Sequence, residues 1–171
     1  MSNLYVLCGV PGSGKSTFVK EIFPEYFPDH PYKIISRDAI RFSLLKDGEE
    51  YFSHENEVYQ LLWDSINQAL KEGFDVISDQ TSLNPKSRTF LLQHLSGYKE
   101  AIAIEIKTPL NICLDRNSQR TGLTFVPPNV IKNMYYSYIS PTVSEGFSQI
   151  YTYDTLKETL FLQYTKEEKY E

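Results

Sequence analysis

Gly9-Val10-Pro11-Gly12-Ser13-Gly14-Lys15-Ser16-Thr17, the stretch GVPGSGKST, decides how the rest of the chain is read. It has the full Walker A spacing and lies between an apolar run, Leu4 to Cys8, and a segment that places Phe18, Val19, Ile22 and Phe23 on one helical face. That context argues against a glycine-rich turn with an incidental lysine. Gly9, Gly12 and Gly14 let the backbone wrap closely around phosphate oxygens, and the loop amides and the helix N-terminus supply donors to negative charge. Pro11, Ser13 and Thr17 complete the expected nucleotide-binding loop. Lys15 is placed to reach the β and γ phosphates, and the Ser16 hydroxyl to ligate Mg²⁺.

Working outward, short apolar strands alternate with amphipathic helices, the pattern of a parallel sheet covered on both faces. The strands expected are Leu4–Cys8, Tyr32–Ser36, Phe74–Ser78, Ala101–Ile106 and Gln149–Tyr153, five in all. The first helix is expected to stop at Pro24, before a Pro-rich loop reaching Pro31. Val58, Leu62, Ile66 and Leu70 mark a helix over Glu55–Lys71 that stops at Gly73. Asn84-Pro85 opens a helix reaching Gly97 with Phe90, Leu91 and Leu95 inward, and Thr108-Pro109 repeats the capping device. The Thr108-Pro109 helix is expected to close at Gly122, and another to run from about Pro128 to Ile139, using Val130, Ile131, Met134, Tyr135 and Tyr138. The polar end of the chain, about 164–171, is expected to fray.

The 171 residues, 41% of them apolar, suit one domain. The chain shows no apolar run long enough to span a membrane and no signal peptide, so a soluble, cytoplasmic protein is expected. The two cysteines, Cys8 and Cys113, fit buried thiols rather than a disulfide or metal framework. A net charge of -5 argues against a broad footprint on a duplex and leaves room only for short, local nucleic-acid contacts. The 13 tyrosines and 10 phenylalanines fit core and groove packing, with base stacking as the alternative use.

No Asp-x-x-Gly or Asn-Lys-x-Asp motif of a GTPase occurs in context. Ser36-Arg37-Asp38-Ala39-Ile40-Arg41 follows the second strand instead, at the carboxyl edge where open α/β sheets bind ligands. Asp38 is there either the general base that accepts a hydroxyl proton or the cap of a helix starting near Ala39. Arg41, one turn on, is either a holder of an acceptor phosphate or an exposed arginine. Asp79 ends the third strand, as a carboxylate that helps hold Mg²⁺ or as the partner of Arg41 or another cation. Arg116 and Arg120 share a helix face, either converging on transferred phosphates or carrying surface charge near a helix C-terminus.

Together GVPGSGKSTF, ISRDAIR, ISDQTSLNPKSR, LDRNSQRTG with VPPNVIKNMY, and SPTVSEGF resemble the kinase domain of polynucleotide 5'-hydroxyl kinases, in phage and animal versions. The resemblance covers most of the chain. It implies an α/β P-loop kinase fold, a five-stranded parallel sheet with a helical lid at about 114–128, using ATP and Mg²⁺. It implies that Asp38 acts as base on the 5'-hydroxyl end of a nucleic acid, DNA or RNA, and that Arg41 contacts the adjacent phosphate. Arg120 and Arg116 would belong to the lid, and Asp79 would lie beside the acceptor site. No DxDxT motif occurs, so no 3'-phosphatase activity is expected. A P-loop kinase of a small-molecule hydroxyl is the second expectation, and a non-catalytic nucleotide-binding regulator the third.

Overall fold

In a computed structural model, which describes residues 2–166, six strands form one sheet in the order β2-β3-β1-β4-β5-β6. β1 (Ser2–Cys8) sits centrally, parallel to β3 (Asp75–Asp79) on one side and β4 (Tyr98–Lys107) on the other. β2 (Tyr32–Ser36) extends the sheet beyond β3, and β5 (Gln149–Asp154) extends it beyond β4, both in parallel. The expected parallel five-stranded arrangement is therefore present, with one correction. β6 (Thr159–Thr165) returns from β5 and pairs with it antiparallel. Residues 164–165, assigned above to a fraying tail, belong to this strand; residues 167–171 lie outside the described residues.

Both faces are covered. On one, α4 (Glu55–Lys71) and α5 (Pro85–Gln93) bury Leu62, Ile66, Leu91 and Leu92 against Leu4, Val6 and Ala103. On the other, the helical segment after the glycine-rich loop buries Phe18, Val19 and Phe23 against Tyr5, Leu7 and Ile104. This alternation follows the period of two along each strand. Both cysteines are buried and free. No helix is long and apolar enough to cross a membrane.

Three local expectations are corrected. Pro24 does not end its helix. After α1 (Lys15–Thr17), a π-helical turn over Phe18–Ile22 leads into α2 (Phe23–Tyr26), with Pro24 at the start of α2. The Phe23 amide bonds Phe18 O five residues back, so the wide turn resets the ladder where proline has no N–H to give. Next, α5 stops at Gln93, and Phe90 faces out at 42% exposure. Asn84 caps α5 as expected, accepting the Ser87 amide at 2.9 Å. Last, Thr108 does not cap α6 (Leu110–Ser118), which ends before Gly122; its hydroxyl is committed elsewhere. α7 (Pro128–Ser137) follows, burying Ile131.

Candidate active site

The glycine-rich loop is held from three sides. The Gly9 amide bonds Thr81 O at 2.9 Å, tying the loop to the segment after β3. The Thr108 hydroxyl donates to Ser13 O at 2.6 Å. Gly12 lies against α6, where an added Cβ would sit 2.5 Å from the carbonyl oxygen of Cys113, and its φ is +80°. Val10, Cys113 and Ile131 form a small apolar cluster that fixes α6 and α7 over the loop. Ser13 is buried, while Ser16 and Thr17 are exposed at the mouth.

This loop fits a phosphate chain. Gly14, at φ +98°, precedes α1 with no side-chain cap, so the first amides of the helix are left for a ligand. Lys15 Nζ folds back onto Gly9 O at 2.8 Å and Val10 O at 3.1 Å. Burial lowers the Lys15 pKa, with the Arg120 charge adding to that and the charges of Asp79 and Asp38 opposing it. Arg116 Nη1 reaches Gly12 O at 3.3 Å. Burial raises the Asp79 carboxyl, opposed by Lys15 and reinforced by Asp38. Lys15 and Arg116 thus meet on the glycine-rich loop, with Asp79 at the end of β3 and Asp38 just past the end of β2; Arg120 lies beyond the end of α6, so the two arginines do not share one helix as expected, and both are exposed. The loop after α6, from Gln119 to Val126, is closed by Asn117, whose amide donates to Val126 O at 2.6 Å and accepts from Val126 N at 3.0 Å.

The surroundings of Asp38 are built differently. α3 (Arg37–Leu44) starts immediately after β2, and its cap is Ser36, whose Oγ accepts the Ala39 amide at 3.2 Å. Asp38 is therefore not the cap. Its side chain is 61% exposed and is gripped by Arg41 Nη1 at 2.5 Å and the Tyr51 hydroxyl at 2.6 Å. Arg41 is only 4% exposed, so it is not a surface arginine. Its Nε and Nη2 bond both oxygens of Glu55, and Nη1 bonds Asp38 and Tyr51. Every N–H edge of this guanidinium is engaged, and Asp79 is not among its partners. Burial, followed by the hydrogen bond to Asp38 and its charge, pushes the Tyr51 hydroxyl up to about 12, which keeps it a donor to Asp38 at neutral pH.

Glu55 and Tyr51 carry no motif that marks them in the sequence. Glu55 opens a long amphipathic helix, where an acidic residue is ordinary. Tyr51 lies in an irregular connection. Arg88 was also missed as an organiser. It is fully buried, bonds Glu145 through Nε at 2.5 Å, and donates through Nη1 to Ser82 O at 2.8 Å. Its Glu145 partner lies in the SPTVSEGF stretch, so the two motifs meet and pin the loop that follows Asp79.

A family model described as an AAA domain matches residues 4–141. The chain is 34% identical over 142 residues to an L-seryl-tRNA(Sec) kinase of Methanococcus maripaludis, covering 81% of this chain and 53% of that protein. It is 26% identical over 129 residues to a 5-hmdU DNA kinase of Pseudomonas phage PaMx11, covering 66% of each. Among solved structures, a chain of the Pnkp1/Rnl/Hen1 RNA repair complex superposes with a TM-score of 0.64 at 22% identity, covering 80% of this chain and 43% of that one. The chain thus spans about half the length of the tRNA kinase. The motif resemblance to polynucleotide 5'-hydroxyl kinases is borne out by these comparisons, and the chain belongs to the AAA domain family, as one of its P-loop kinases.

Proposed function

We propose that this chain transfers the γ-phosphoryl group of ATP to a hydroxyl carried on a nucleic acid, with the 5'-hydroxyl end of a polynucleotide as acceptor. The observation that carries the reading is Asp38, held by Arg41 and Tyr51 at the edge of the sheet and within the electrostatic reach of Lys15. The sequence relatives add a direction, since one is named for a tRNA and the other for DNA.

In this reading the amides of Gly12 to Thr17 and the Lys15 ammonium hold the phosphates of ATP. Ser16 and Asp79 are the residues that would hold Mg²⁺, which supplies charge neutralisation across the phosphates. Asp38 takes the proton as the acceptor oxygen forms its bond to the γ phosphorus. The bond from that phosphorus to the β–γ bridging oxygen breaks, and ADP leaves. Arg116 and Arg120 offset the charge that accumulates on the transferred group.

The test is transfer from ATP with Mg²⁺ to a 5'-hydroxyl oligonucleotide beside an Asp38→Ala control. The expected result is labelling of the 5' end that slows by roughly 10²- to 10⁴-fold in the variant, with ATP binding kept. Unchanged transfer in the variant would remove Asp38 as base. ATP binding without any oligonucleotide transfer would move the assignment to a small-molecule hydroxyl. One observation favours that second reading: Glu55 occupies the arginine expected to hold the acceptor phosphate.

A further inference from the structure

Arg41 is saturated, but its neighbour Arg37 is not. Among the described residues the hydrogen bonds of Arg37 leave from Nη2 alone, to Glu55 at 3.1 Å and to the Tyr59 hydroxyl at 2.7 Å. Its Nε is buried and has no partner. The guanidinium lies 4.3 Å above the Tyr59 ring, next in sequence to Asp38. From Tyr59 a chain of rings leads away along α4 and α5. Tyr59 stacks on Trp63 at 5.6 Å, and Trp63 stacks on His94 at 3.7 Å with the planes 5° apart. Phe90 meets both Tyr59 and Trp63 edge-on at 5.7 and 5.6 Å.

This string is not sealed into the core. Phe90 is 42% exposed, and His94 is exposed. A crevice of about 50 Å³ opens between Arg37, Tyr59, Trp63, Phe90 and Gln80, the residue directly after Asp79. Trp63 Nε1 is a second buried donor with no partner among the described residues. Arg37 shares Glu55 with Arg41, but its Nη1 edge makes no hydrogen bond among the described residues, and this free edge beside exposed rings next to the candidate base matches an anionic backbone carrying flat groups.

We propose that this track is a subsite for a single-stranded acceptor. The phosphate that follows the reacting nucleotide sits at the Nη1 edge of Arg37, and the next bases stack on the exposed Phe90 and His94 rings, which Tyr59 and Trp63 brace. The proposal rests on the nucleic-acid reading above and assigns the phosphate contact to Arg37, leaving Arg41 to position Asp38. Access by single strands also suits a chain of net charge -5, since stacking asks for few cations.

Trp63 is the single tryptophan of the chain, so its emission reports on the track directly. The experiment titrates 5'-hydroxyl oligothymidylates of increasing length, from the 3'-mononucleotide to an octamer, against Trp63 fluorescence, and measures kcat/KM for the same series. The expected result is quenching that tightens with length, and an octamer-to-mononucleotide kcat/KM ratio that drops in Phe90→Ala by at least about 5-fold, the low end for one lost base stack. Arg37→Ala should weaken binding of every oligonucleotide that has an internal phosphate. Transfer to oligonucleotides with no dependence on length, or with the same ratio in Phe90→Ala, overturns the track and leaves the kinase reading standing. Quenching that strengthens with length but with no transfer overturns the kinase reading and keeps the track. Absence of both quenching and transfer overturns the two together.

Discussion

The proposed donor half and the proposed acceptor half of this site are made by opposite means. Around Lys15, one contiguous stretch of chain forms the cradle from its own backbone, and neighbours such as Thr108 and Cys113 only brace it. Around Asp38, side chains from α3, the connection after it and α4 form one ion and hydrogen-bond network, with Glu55 shared by Arg37 and Arg41. A backbone cradle depends on loop conformation and tolerates little change in shape. A side-chain network depends on charge balance and can be retuned residue by residue, which is where substrate choice among related kinases can vary.

The link between the halves offers the largest effect. The buried Arg88–Glu145 pair, 0% and 3% exposed, fixes the loop after Asp79 to the chain that returns from α7. Arg88→Met leaves the Glu145 carboxylate buried without its partner, and an unfolding midpoint in denaturant should show a loss of about 3–5 kcal/mol. The same pair sets an acid limit. Burial raises the Glu145 pKa, but Arg88 and the Thr142 amide and hydroxyl outweigh it and hold the group below its ordinary value. Its contribution is thus complete above the unfolded carboxylate pKa of about 4.3 and is lost as pH falls through the lower folded value. Wild-type unfolding followed against pH should show this acid loss, and Glu145→Gln should flatten it.

Gly12 tests the donor half alone. At φ +80°, with Cys113 O only 2.5 Å from where a Cβ would be, Gly12→Ala must shift α6 or the loop. Strain of about 1–3 kcal/mol is expected, read as weaker ATP binding by calorimetry. If ATP affinity is unchanged, the cradle is more adaptable than its packing indicates.

How much of this was legible follows the same divide. GVPGSGKST carries its spacing in consecutive residues, and the five parallel strands are apolar runs, so both could be read from the chain. The sixth strand could not. Thr159–Thr165 is an edge strand with Phe161, Leu162 and Tyr164 exposed, so it lacks a buried alternating face and merges into a polar end. Arg88 looks like a polar residue of a capped helix until Glu145, 57 positions away, is brought beside it. Thr108-Pro109 matches a capping pattern, yet the hydroxyl is drawn to Ser13 O because the helix packs on the loop. Asp38 was identified as base or cap, and the structure decides against the cap because Ser36 already serves there. Long-range partners of this kind have no local signature.

The smallest effect is the sharpest test of the acceptor half. Glu55→Gln keeps the size of the side chain but removes the negative charge that two arginines share. Arg41 then loses a charge-assisted clamp of the class worth about 1.5–3 kcal/mol, and Asp38 loses the rigidity of its own holder. Since part of that loss is absorbed by Tyr51 and water, turnover should fall by about 10-fold, near 1.4 kcal/mol, while the ATP dissociation constant stays within about twofold. Turnover and calorimetric ATP binding measured on the same preparation separate the cases. A matching fall in ATP affinity would mean that the acceptor network also shapes the phosphate cradle through Asp38 and Lys15, and the two halves would have to be treated as one electrostatic unit.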